Sequence, residues 1–152
     1  MPPLPPSEQP GVLVSIELPA KLENLPRFIA PVLAVARSLP LDEDRCSDLE
    51  LALEESLVNI FNYAYPDEEG TARISCRTEK GCLFVGIEDK GLAFSLIDAA
   101  VPDLSVDLSN RKIGGLGVHL VRSLMDDVRY RREADRNLLE LVVCFQTTGV
   151  ST

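Results

Sequence analysis

Leu49–Tyr65 reads LELALEESLVNIFNYAY. Counting from Cys46, apolar residues recur at Leu49, Leu53, Leu57, Ile60 and Ala64, the 3.6-residue spacing of an amphipathic helix laid on a core. Glu55, Asn59 and Asn62 fall at i, i+4 and i+7, so they stack along one side of that helix, which the pattern sets opposite the apolar stripe. No Lys or Arg occurs between Cys46 and Tyr65, and Glu50 and Glu54 form a like-charge i,i+4 pair, so the negative charge is uncompensated. Asn is moreover a poor helix-interior residue, because its amide competes for backbone hydrogen bonds. A carboxylate and an amide oxygen one turn apart suit a hard cation such as Mg²⁺, or the orientation of a reacting hydroxyl.

Outward from this helix the pattern alternates between periods. Pro66 stops it, since the residue before proline disfavours the helical conformation. Ala72, Ile74 and Cys76 then alternate with Arg73, Ser75 and Arg77, and Glu79-Lys80-Gly81 turns the chain into Cys82–Glu88, a predicted hairpin. Upstream, Val12–Leu18 alternates as a strand. Leu25–Ala36 has helical spacing, with Asn24 as the expected N-cap, Pro26 in the first turn and Pro31 expected to kink or restart it. Downstream, Gly117–Met125 is apolar and helical, with His119 in its predicted packing stripe, and Val128–Arg132 with Leu138–Phe145 reads as a second hairpin turning near Ala134–Arg136. Ser95–Ile113 has no sustained period and predicts a long functional loop. Strands in hairpins imply an α+β two-layer sandwich, a mostly antiparallel mixed sheet with helices on one face.

The 152 residues predict one domain over 12–148 behind a disordered Pro-rich tail, 1–11; Met1–Pro10 alone hold five prolines. Hydrophobic and charged contents of 45% and 26% are those of a globular protein. A net charge of -9 argues against direct nucleic-acid or anionic-membrane binding and suits a basic protein partner. No signal-peptide pattern and no membrane-length apolar run is found, so a cytoplasmic location is expected. Cys46, Cys76, Cys82 and Cys144 have no metal-site spacing and are expected as free, mostly buried thiols.

Two glycine sites complete the pattern. Asp89-Lys90-Gly91 follows a strand, setting a carboxylate where it can accept from an exocyclic amine and a glycine where backbone must turn closely. Gly114-Gly115-Leu116-Gly117 stands before the next predicted helix, where backbone N–H groups and a helix N-terminus can meet phosphate, with Arg111 and Lys112 adjacent. It is neither a P-loop nor a dinucleotide fingerprint.

Glu-x-x-x-Asn on a helix, Asp-x-Gly after a strand, and a long loop closing on Gly-Gly-x-Gly together resemble the nucleotide-binding boxes of the GHKL (Bergerat-fold) ATPase/kinase superfamily. EESLVNIFNYAY and GGLGVHLVRSLMDDV look most like the bacterial anti-sigma-factor serine/threonine kinases. The resemblance implies ATP and Mg²⁺ as cofactors, with Glu55 the general base and Asn59 the Mg²⁺ ligand. It implies Asp89 on the adenine amine, Gly91 allowing close approach, and Gly114, Gly115, Leu116, Gly117 and Lys112 at the phosphates, under a lid formed by Ser95–Ile113. Asn62 stands where related histidine kinases often carry a basic residue. Just after Gly91, Ala93 and Ser95 replace a common proline and aspartate, while Phe94 is retained. The partners implied are a STAS-domain antagonist, a sigma factor and a second copy in a homodimer. A nucleotide-dependent regulatory module without phosphotransfer is the alternative, and the catalytic domain of a histidine kinase ranks third.

Overall fold

The computed structural model describes residues 11–66, 68–93 and 113–145; for 113–118 it describes the backbone alone. The elements run β1 (Val14–Pro19), a single 3₁₀ turn, α1 (Leu25–Arg37), α2 (Glu43–Tyr63), β2 (Thr71–Glu79), β3 (Cys82–Asp89), α3 (Ile113–Leu124), β4 (Asp127–Glu133) and β5 (Arg136–Cys144). Residues 1–10 of the expected tail, residues 94–112, which hold Phe94, Ser95, Lys112 and nearly all of the expected loop, residues 146–148 of the expected domain, and Asp67 lie outside the described residues.

The strands form one sheet in the order β1-β2-β3-β5-β4, and every pairing in it is antiparallel. Alternation along the strands decides which face is covered. Ile74, Cys76, Leu83, Val85, Ile87, Leu139, Leu141 and Val143 point to one side and merge with Phe28, Val32, Leu49, Leu53, Leu57 and Val121 of the helices in a single core. The other side carries charged pairs such as Arg73 with Glu17 and Arg136 with Glu88.

Local chemistry explains the boundaries. Asp42 caps α2 by accepting from the Arg45 N–H at 2.8 Å, while Glu43 and Asp44 in the first turn complement the helix dipole. The β2–β3 hairpin turns on Lys80 and Gly81, both at positive φ, the primed turn whose twist matches paired strands. The second hairpin turns at Ala134, also at positive φ.

Four expectations change. Asn24 stands at the α1 N-cap without a side-chain cap bond, because its amide instead donates to Pro19 O at 2.9 Å and its oxygen accepts from Arg27. α1 runs from Leu25 to Arg37 through Pro31 without restarting, its apolar face anchored on the core on both sides of that residue. α3 begins at Ile113, so the glycines lie inside its first turns rather than ahead of it; glycine's low propensity had suggested a later start. Finally, Cys82 and Cys144 are joined in a disulfide, whereas Cys46 and Cys76 are buried free thiols as expected.

Candidate functional site

Asp89 closes β3 with its carboxylate on the covered side of the sheet, and the register sets it between Ala72 on β2 and Asn137 on β5. Its Oδ1 accepts from the Gly91 N–H and from Asn137 Nδ2, each at 2.9 Å. The Asn137 amide also donates to Leu92 O at 2.8 Å, and its oxygen accepts from Tyr130 Oη at 2.6 Å and from Arg132 Nη1 at 3.1 Å. Arg132 Nη1 donates as well to Gly91 O at 2.8 Å. The carboxylate is therefore held on one oxygen by a saturated network, which fixes how it can meet a ligand.

The turn after Asp89 rests on the end of α2. Leu92 N–H donates to Ala64 O at 2.8 Å, and Tyr65 Oη accepts from Lys90 N–H at 2.8 Å while donating to Thr71 O at 2.6 Å. Gly91 is needed here for lack of room: a Cβ would overlap the Ala64 carbonyl oxygen and side chain.

α2 brings Asn59 to the same place. Asn59 is 4% exposed, beside Asp89 at 6% and Asn137 at 4%, so it does not lie on a solvent face opposite the core. That turn of α2 lies next to Tyr130 and Leu139 of the sheet, where the apolar stripe gives way to polar groups. The Asn59 Nδ2 donates to Glu55 O at 2.8 Å, which orients the amide so that its oxygen is the atom able to accept or to ligate. Asn59, Ile60, Ala64, Asp89, Tyr130, Asn137 and Leu139 line one cavity of about 20 Å³, room for a water or two. Apolar walls with one buried carboxylate suit an aromatic ring carrying an amine donor.

Glu55 lies half-buried one turn before Asn59, and Asn62 is exposed on the turn after it; neither lines the cavity. Gly114, Gly115, Leu116 and Gly117 form the first turns of α3, which packs on α2. His119 is exposed, so the α3 packing stripe is Val121 and Met125 with Leu120 and Leu124 beside them. A larger cavity of about 270 Å³ opens mainly on the uncovered sheet face among Glu17, Arg73, Glu88, Lys90 and Arg136, most of whose charges are paired, and also reaches Asp89, but contains none of the helix-borne groups.

Sequence reasoning missed Asn137 and Tyr130. Asn is uncommon within a strand, and that was the one local signal; its partnership with Asp89 depends on a register that a single strand does not reveal.

Burial raises the Asp89 carboxyl above the ordinary aspartate range, while the Asn137 and Gly91 hydrogen bonds and Arg132 pull it back. The sign follows. The ionised form is disfavoured by the fold, so this group's contribution to stability is full below its unfolded pKa and falls away as pH rises through the folded one. Capture of an amine donor by the ionised carboxylate would have the opposite sense. Affinity for an adenine nucleotide is expected to drop as the medium is acidified, starting above the pH at which an ordinary aspartate (about 3.9) would protonate, and Asp89→Asn should flatten that part of the profile. Calorimetric titration across the acid range checks this.

A buried, network-held carboxylate at a strand end and an oriented amide on a neighbouring helix thus line one cavity of this α+β sandwich. The chain belongs to the histidine kinase-like ATPase domain family, whose model matches residues 18–143. It is similar to the serine-protein kinase RsbW of Bacillus cereus (strain AH820), 25% identical over 130 residues that make up 83% of this chain and 81% of that one. RsbW of Bacillus thuringiensis (strain Al Hakam) is 24% identical over the same extent. Among solved structures, the Acinetobacter baumannii histidine kinase AdeS aligns with 89% of this chain and 70% of its own, with a TM-score of 0.49 and 13% identity.

Proposed function

We propose that this chain is an anti-sigma-factor serine/threonine protein kinase that binds Mg-ATP, phosphorylates a STAS-type antagonist and sequesters a sigma factor. The observation that carries the reading is the meeting of Asn59 and Asp89 at one cavity, with Glu55 one helical turn away and its carbonyl tied to Asn59. Similarity to serine-protein kinases over most of the chain supports the phosphotransfer class.

In this reading Asp89 accepts from the adenine amine, and Tyr130, Leu139, Ile60 and Ala64 enclose the ring. Asn59 holds Mg²⁺ through its amide oxygen, in keeping with an ion that takes few protein ligands beside waters and phosphates. An ion held there would supply positive charge against that developing on the phosphoryl group. Glu55 orients the substrate hydroxyl and takes up its proton. Gly114, Gly115, Leu116 and Gly117, with Lys112, meet the phosphates through backbone N–H groups and a positive charge. Asn62, exposed one turn further along α2, helps position the phosphates. The acidic chain works in the cytoplasm on basic surfaces of its partners, without direct nucleic-acid contact, and also pairs with a second copy of itself. Antagonist and sigma factor compete for it, and nucleotide state with phosphorylation biases the choice.

The test is Mg-dependent ATP binding measured by calorimetry on the wild type and on Asp89→Asn. The wild type should bind, and the variant should lose about tenfold or more in affinity, the value of one charge-assisted hydrogen bond. Equal affinities would remove Asp89 from the site. Absence of binding at millimolar ATP would overturn the kinase reading, and binding without phosphotransfer to any antagonist would leave a nucleotide-dependent regulatory module.

A further inference from the structure

Cys82 opens β3 and Cys144 closes β5, and the antiparallel register sets the two opposite each other, with Cα atoms 3.9 Å apart and the sulfurs joined. The next pair outward is a hydrogen-bonded one, since Phe145 N–H donates to Gly81 O at 2.9 Å. Cys82 and Cys144 therefore form a non-hydrogen-bonded pair, the position at which side chains on neighbouring strands come closest. Both are only half-buried, at the end of the sheet remote from Asp89. Cys46 and Cys76 differ in kind. They are buried free thiols, and burial pushes the Cys76 thiol up to about 11 and raises that of Cys46, so neither supplies a competing thiolate.

The surroundings tie this corner to the helices. Cys144 N–H donates to Asp126 Oδ2 at 2.6 Å, and the same oxygen accepts from Arg45 Nη2 at 3.1 Å. Arg45 Nη1 donates to Leu124 O at 2.9 Å and to Asp48 at 2.8 Å. One guanidinium thus joins the start of α2, the end of α3 and, through Asp126, the backbone of Cys144. The glycines of α3 stand at the other end of that helix, and Asn59 lies four turns along α2.

We propose that Cys82–Cys144 is a thiol–disulfide exchange site, opened by a low-molecular-weight thiol or a dithiol reductase, and that its state changes nucleotide affinity through the Asp126–Arg45 joint. Half-exposed disulfides are the exchangeable ones. An attacking thiolate forms a mixed disulfide with one cysteine and releases the other as a thiolate, which takes up a proton. A second thiol then resolves the mixed disulfide, so two thiols are oxidised to a disulfide as the protein bond becomes two thiols. The reverse exchange, with a disulfide of the same class, closes it. Loss of the cross-link frees Cys144 to move from Asp126 and loosens the seating of α3 on α2. The nucleotide part rests on the ATP-binding reading above; the exchange part does not.

The test uses the full chain, held under native conditions with oxidised glutathione or with a thioredoxin-type dithiol system, then denatured, alkylated and weighed. Two alkyl additions are expected after the oxidant and four after the reductant. Four additions after the oxidant, or two after the reductant, would overturn the exchange site. Hydrogen exchange should quicken on reduction at the Cys144 amide and at the α3–β4 junction, and unchanged rates there would overturn the joint. The oxidised form should bind ATP about fivefold or more tightly than the reduced form, with the Cys82→Ser, Cys144→Ser double variant matching the reduced form whatever the treatment. Equal affinities would overturn the coupling, whereas no binding in either form would overturn the nucleotide reading, and the mass and exchange arms still decide the site itself.

Discussion

Glu55→Ala is expected to keep ATP affinity close to that of the wild type while lowering the rate of phosphotransfer by about 10²–10⁴, the ordinary worth of a positioned general base. The asymmetry follows from placement. Glu55 does not line the cavity that contains Asp89, and its link to Asn59 runs through its backbone carbonyl, which alanine preserves. Alanine also keeps α2 intact, being the best helix former. Asn59→Ala should behave in the opposite way, with Mg-ATP affinity itself falling because the ligating oxygen is gone. Calorimetry beside a single-turnover transfer assay separates the two effects. Phosphotransfer at the wild-type rate by Glu55→Ala would remove it from the role of base.

Gly91→Ala should be the most damaging conservative change in the site. The added methyl would overlap the carbonyl of Ala64 at the end of α2, so either the helix end or the turn must move. Overpacking of this kind costs about 1–3 kcal/mol, and here the displaced backbone carries the N–H that holds Asp89 Oδ1 and the carbonyl that anchors Arg132. Thermal unfolding should report lower stability, and ATP affinity should fall by more than in Asp89→Asn, because the whole turn is displaced. A stable variant with unchanged affinity would mean that the turn is slack rather than wedged.

The order and type of the elements were legible in the sequence because each is amphipathic with its own period, from Leu49, Leu53 and Leu57 on α2 to Ile74 and Cys76 on β2. The first hairpin was legible because Lys80-Gly81 has the chemistry its turn requires. Everything that depends on register was not. Asn137 meets Asp89 across 48 residues of sequence and Cys82 meets Cys144 across 62, and neither separation leaves a local trace. Asn59 is buried rather than set opposite the core; helical spacing orients residues relative to the apolar stripe but does not reveal that the stripe ends over a polar cavity. The α3 boundary was set late because three glycines in a helix start contradict propensity, which packing on α2 overrides.

The strand order carries a consequence for how the chain is made. β5, the last strand among the described residues, lies inside the sheet, between β3 and β4. A growing chain that has emerged through β3 has a three-stranded sheet with Asp89 on its raw edge and no Asn137 beside it. A product cut short before residue 137 lacks the amide that holds Asp89, so the buried network around that carboxylate closes only once β5 has threaded between β3 and β4.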